Sequence, residues 1–180
     1  MGRILVHEFI SLDGVIEDPR WTMEFGFDPQ MGVELSEIMG SSKGILLGRN
    51  TYTMFEPAWS TRTVEDDPGA PFFNDTEKYV VSGTLTEPTW RNSTLLGAYD
   101  TERLRALKQE VDGDIYVSGS AMLVRGMLAD GLVDELHLFL FPIALGAGAK
   151  LFLEGEEATK LALASTRAYD NGVVRLSYRA

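Results

Sequence analysis

The chain has no cysteine. Disulfides, a thiolate nucleophile and Cys-ligated zinc are therefore excluded. Histidine is almost as scarce: His7 and His137 lie far apart and form no His-x-x-x-His pair, so no structural metal is expected. Positive charge is also limited. Against 27 Asp and Glu there are 16 Lys and Arg, a formal charge of -11. That balance disfavours nucleic acid or an anionic membrane as partner, but it leaves room for a local phosphate pocket. No apolar run approaches bilayer length, and MGRILVHEF returns to charge too soon for a secretory signal. Gly2 lacks the downstream Ser or Thr of a myristoylation site. A cytoplasmic protein is the expectation.

What remains is globular in composition, 44% apolar and 10% aromatic over 180 residues, enough for one domain spanning 1–180. Arg3 to Ile10 reads as a first strand, broken by Ser-Leu-Asp-Gly at 11–14. Met31, Leu35 and Ile38 repeat at helical spacing up to Gly40. Ile45–Leu47 forms a strand core running into Gly48, with Asn50 or Thr51 as cap of a short helix. Residues 56–77, with Pro57, Pro68, Gly69 and Pro71, read as a long loop, and Trp21 and Trp59 as loop residues. Short strands follow at Lys78–Val81 and Thr94–Leu96. A helix capped by Thr101 ends at Gly113, then come a strand at Ile115–Val117 and a helix over Ala121–Ala129. Asp134–Phe141 suits a strand covered on both faces. After the glycine-rich turn 142–152, Asp170-Asn171-Gly172 signals a hairpin between Ala162–Tyr169 and Val173–Tyr178. The predicted fold is a single α/β domain: a mostly parallel central sheet flanked by helices, closed by a C-terminal antiparallel hairpin.

In such sheets, ligands bind beyond the carboxyl ends of the strands, where helix N-termini offer free N–H groups. Three junctions have this form: Gly48-Arg49-Asn50-Thr51, Ser82-Gly83-Thr84 and Ser118-Gly119-Ser120. Glycine lets phosphate approach the backbone, hydroxyls add donors, and Arg49 brings a planar fork for phosphate oxygens. None matches G-x-G-x-x-G or a P-loop, and G-x-S-x-G is absent. Asp13 follows the first strand, where it either faces a ligand or ties its own turn as an Asx motif. Glu34 and Glu37 read as solvated helical residues, Trp21 and Trp59 as stacking or plugging rings, and His7 as a core or interface histidine.

SLDG (11–14), LLGRNTY (46–52), YVVSG (79–83), IYVSGS (115–120) and FPIALGAGAKLF (141–152), taken in order, resemble the dihydrofolate reductase-like superfamily. The likeness is specifically to its bacterial branch, related to the reductase (C-terminal) domain of the riboflavin-biosynthesis deaminase-reductase. The resemblance covers essentially the whole chain. It implies a homodimeric NADPH-dependent oxidoreductase acting on a small pyrimidine-, pterin- or riboflavin-precursor-like heterocycle, as a 5-amino-6-(5-phosphoribosylamino)uracil reductase does. It places Gly48, Arg49 and Thr51 at the cofactor phosphates and Ser82 and Gly83 near the 2′-phosphate. Gly119 and Ser120 would sit beside pyrophosphate and nicotinamide, with Asp13 as the catalytic candidate. The acid that dihydrofolate reductases carry on their first helix would fall near Gly32, where there is none. Reduction of another small carbonyl or heterocycle, or a non-catalytic nucleotide-binding dimer, are the alternatives. For dimerisation, Phe139, Phe141 and the hairpin offer apolar area.

Overall fold

The computed structural model describes residues 2–180. Strand β1 (Ile4–Ser11) leads through a 3-10 turn at Pro19–Phe25 into helix α1 (Pro29–Gly40). Then come β2 (Ser42–Gly48), α2 (Arg49–Trp59), α3 (Ala70–Asp75), β3 (Glu77–Val81) and β4 (Ser93–Gly97). Next are α4 (Thr101–Glu110), β5 (Asp114–Val117) and α5 (Ala121–Ala129); β6 (Glu135–Phe141), β7 (Ala162–Ala168) and β8 (Val174–Arg179) complete the fold. All strands join one sheet in the order β4-β3-β2-β5-β1-β6-β8-β7. The strands from β4 through β6 pair in parallel, and β8 and β7 add to the far edge antiparallel. The predicted α/β architecture and the Asp-Asn-Gly hairpin are both present; Gly172 takes φ +83, which the tight turn requires.

Alternation along the central strands builds two cores, one on each face of the sheet. Ile4, Val6, Leu46 and Val117 pack against Leu104, Leu107, Val124 and Met127 of α4 and α5. Leu5, Ile45 and Leu47 face Tyr52, Phe73 and Trp90 on the α2–α3 side. Each fully buried aliphatic or aromatic side chain here contributes about 1.5–3 kcal/mol. A third cluster gathers Met31, Phe139, Phe141, Tyr169 and Val173. Phe139 and Phe141 are thus sealed inside, as a strand covered on both faces requires, and do not offer the apolar area suggested for dimerisation.

Four local expectations differ from the structure. The segment 56–77 is not one loop: α2 runs through Pro57 to Trp59, and α3 buries Phe73 beside it. Trp59 is therefore helical, and Trp21 belongs to the 3-10 turn, edge-on to Phe141. The residue before α2 is Gly48, so neither Asn50 nor Thr51 caps it. The cap of α4 is Asp100, which accepts from the Arg103 N–H, while the Thr101 hydroxyl donates to Asp130. At this helix an Asp carboxylate takes the cap from the hydroxyl beside it.

Within the sheet, β5 pairs with β1 only through Val6↔Val117, whereas β6 accompanies β1 as far as Ser11. Beyond Val6, β1 therefore has a notch on its β5 side.

Candidate functional site

β2 and β5 are adjacent and parallel, so Gly48 and the Ser118–Ser120 turn emerge side by side at the carboxyl edge. Neither α2 nor α5 has a side-chain cap, which leaves first-turn N–H groups available to an anion. The turns nearly touch. A Cβ on Gly48 would lie 2.0 Å from Ser120 Oγ, and one on Gly119 would lie 2.7 Å from Thr51 Oγ1. Gly119 also holds φ +78, a region where side chains are strained. The Arg49 guanidinium reaches the third turn and donates to Thr84 Oγ1 at 3.1 Å. There, Ser82 Oγ accepts from the N–H groups of Thr84 and Leu85.

These turns border a cleft of about 1720 Å³. Its floor is His7, Glu8, Phe9 and Tyr116; Val33, Ser36 and Glu37 of α1 roof it; Met54, Phe55, Trp59, Phe72 and Phe73 form an apolar wall. Trp59 stacks on Phe73 at 4.3 Å between ring centres. Of the sequence candidates, Thr51, Gly119 and Ser120 line the cleft. Gly48 sits against Ser120, while Arg49, Ser82 and Gly83 form a shoulder beside it.

Asp13 lies elsewhere. Its carboxylate accepts from the Ser11 hydroxyl (2.6 Å) and from the N–H groups of Leu145 (3.0 Å) and Gly146 (2.7 Å), pinning the 142–152 turn to the loop after β1. The Ser11 bond first, then the two amides, hold this carboxyl far below the usual range. In this structure Asp13 ties the loop after β1 to the 142–152 turn and lies outside the described cleft lining.

Glu34 also departs from expectation. It is buried on α1 and takes hydrogen bonds from Arg175, Arg167 (2.7 Å) and the Tyr169 hydroxyl (2.7 Å). Burial pushes its pKa up, but Arg175, Tyr169 and Arg167 together bring it below the ordinary value. The roof helix is thereby pinned to the C-terminal hairpin. Glu37 does face the cleft.

Two residues on the floor gain significance only from the fold. His7 is buried, its Nδ1 2.9 Å from the Tyr116 hydroxyl and its Nε2 without a protein partner. Burial, helped by His137 and Arg175, lowers its pKa to about 3, so the ring is neutral. Glu8 is 5% exposed with Oε1 unpartnered, and burial pushes its carboxyl up to about 8 against the opposing hydrogen bond from the Gly119 amide. The signal for both is a polar pair inside an otherwise apolar strand, ILVHEFI.

Fold and cleft define an α/β domain of the dihydrofolate reductase type, with glycine turns and helix N-termini at one end of an aromatic cleft. The chain belongs to the RibD C-terminal domain family, whose sequence pattern matches residues 3–175; this is a family of NAD(P)H-dependent reductases. Among curated proteins it is 28% identical over 183 residues to the uncharacterized protein YyaP of Bacillus subtilis, covering 98% of this chain and 94% of the relative. Among solved structures, the putative riboflavin biosynthesis protein of Shewanella sp. PV-4 superposes with a TM-score of 0.79 at 22% identity, covering 99% and 98% of the two chains. The Thermotoga maritima diaminohydroxyphosphoribosylaminopyrimidine deaminase/5-amino-6-(5-phosphoribosylamino)uracil reductase gives 0.69 at 15% identity; the match covers 99% of this chain and 56% of that one.

Proposed function

We propose that the protein is an NADPH-dependent reductase of a pyrimidine-, pterin- or riboflavin-precursor-like heterocycle. The observation that carries this reading is the meeting of the Gly48 and Gly119–Ser120 turns, two uncapped helices behind them, at one end of an aromatic cleft. These residues fit the cofactor: the N–H groups of α2 and α5 match a pyrophosphate, and Arg49, held on the Ser82–Thr84 turn, matches a 2′-phosphate. NADPH, when bound, supplies the hydride. Phe55, Trp59 and Phe72 offer flat apolar surface for a ring, and α1 closes over it to exclude water.

The test is a fluorescence titration with NADPH and NADH. Micromolar NADPH binding is expected, weakened about tenfold or more by Gly119→Ala. Arg49→Ala is expected to weaken NADPH more than NADH. Failure of both cofactors to bind would overturn the reading.

A second reading of the substrate follows from charge. Among the described lining residues, Arg125 is the one Arg or Lys, and its Nη1 already donates to the Lys150 carbonyl at 2.6 Å. Glu17, Asp18, Glu37 and Asp67 share that lining. This balance favours an uncharged heterocycle or small carbonyl over a phosphorylated pyrimidine. Turnover of the unphosphorylated but not the phosphoribosyl compound would support it. As partner we propose a second copy of the chain, docked along β7. Every residue of this edge strand is exposed, and its outer side has no strand beside it.

A further inference from the structure

We propose that the Glu8 carboxyl, at the notch where β1 outruns β5, is a cofactor-positioning group that pairs with the carboxamide of the nicotinamide. This rests on the NADPH reading above and adds a residue to it.

The observation is geometric. Oε1 of Glu8 is buried without a protein partner, although buried polar atoms are costly to leave unsatisfied. It faces the cofactor turn: the atom lies 3.8 Å from where a Cβ of Gly119 would stand, and Thr51 Oγ1 flanks the same point. Glu8 is only 5% exposed but lines the cleft at the notch, where β5 has already ended at Val117.

Chemistry selects the occupant. Burial keeps the proton on Glu8 up to about pH 8, so at neutral pH the group presents one O–H donor and one carbonyl acceptor. A primary carboxamide presents the complementary N–H and C=O, and the two close a pair of parallel hydrogen bonds. Phosphates have their own donors on α2 and α5 nearby, which leaves the uncharged end of the cofactor for Glu8. Few groups at this end of the cleft titrate in competition. His7 on β1 stays neutral above about pH 3, and burial raises Tyr116 on β5 above its ordinary value. α2 contributes Asn50 and Thr51, α5 contributes Ser120 and Arg125, and β6 places Leu138 opposite Glu8.

The experiment compares binding of NADPH and of 2′-phospho-ADP-ribose, which keeps the phosphates but lacks nicotinamide, from pH 6 to 9.5. The affinity ratio is expected to hold below about pH 7.5 and then to fall by up to about tenfold per pH unit, as ionisation removes the donor. Glu8→Gln keeps a donor and an acceptor; it should match the wild-type ratio at pH 6.5 and abolish the fall. Glu8→Leu should lower NADPH affinity about tenfold or more and leave 2′-phospho-ADP-ribose unchanged. Equal pH responses of the two ligands, or a Glu8→Gln protein with an undiminished fall, would overturn the proposal while the cofactor site stands. Failure of both ligands to bind would overturn the reductase reading and this one with it.

Discussion

Asp13 sits in the loop after β1 and Glu8 inside the strand, and their surroundings drive the two carboxyls in opposite directions. Three donors keep Asp13 charged. Asp13→Ala is therefore expected to speed hydrogen exchange at the Leu145 and Gly146 amides while NADPH affinity stays within about twofold. A large loss of affinity with unchanged exchange would restore it to the site. For Glu8, the folded protein retains a proton that the unfolded chain releases above 4.5 and keeps it to about 8. Stability is thus lost as pH rises through that window, by up to about 1.4 kcal/mol per pH unit. Glu8→Gln lacks this loss, so denaturation at pH 5 and pH 8 should show the variant gaining on the wild type at the higher pH. Parallel behaviour of the two proteins would mean that Glu8 is not buried as a neutral acid.

At the scale of elements, the cleft depends on α1 keeping its place as roof. That helix is held by the third apolar cluster and by Glu34, whose carboxylate meets Arg167, Tyr169 and Arg175 on the β7–β8 hairpin and its turn. Removing the acid strands the partly buried Arg175 beside a vacated site. Glu34→Ala is expected to cost about 3 kcal/mol in chemical denaturation. Arg167→Ala, at a side chain 53% exposed, should cost about 1 kcal/mol or less. Similar losses for both would show that the hairpin, and not the ion cluster, governs the position of the roof.

The whole molecule carries an asymmetry between its sheet edges. β4 is half-buried along most of its length, but β7 is exposed throughout and carries Leu163 at 57% exposure. An unprotected edge of this kind is a pairing site. If a second copy occupies it, light scattering should give about twice the 19.9 kDa chain mass, and Leu163→Asp should shift the protein to monomer. A wild-type monomer at tens of micromolar would exclude the proposed partner.

Much of the fold was legible in the chain because its signals are local. Alternation set the strands, glycine turns ended them on one side, and Asp-Asn-Gly closed the hairpin. These patterns act through backbone geometry and the two-residue repeat of a sheet, so a linear reading captures them. The turns at 48, 82 and 119 were legible for the same reason. Their convergence was implied by the family resemblance and not by the local patterns, since it comes from β3, β2 and β5 being neighbours in the sheet although they are separated in the chain. The surroundings of Asp13, Glu8, His7 and Glu34 were decided by tertiary structure alone. A carboxyl's charge depends on how much water and how many donors surround it, and those neighbours arrive from segments over a hundred residues away. By itself, the sequence determined which elements form and which turns can approach a phosphate. Only the packed molecule decided which acid is a strut and which is buried at the edge of the cleft.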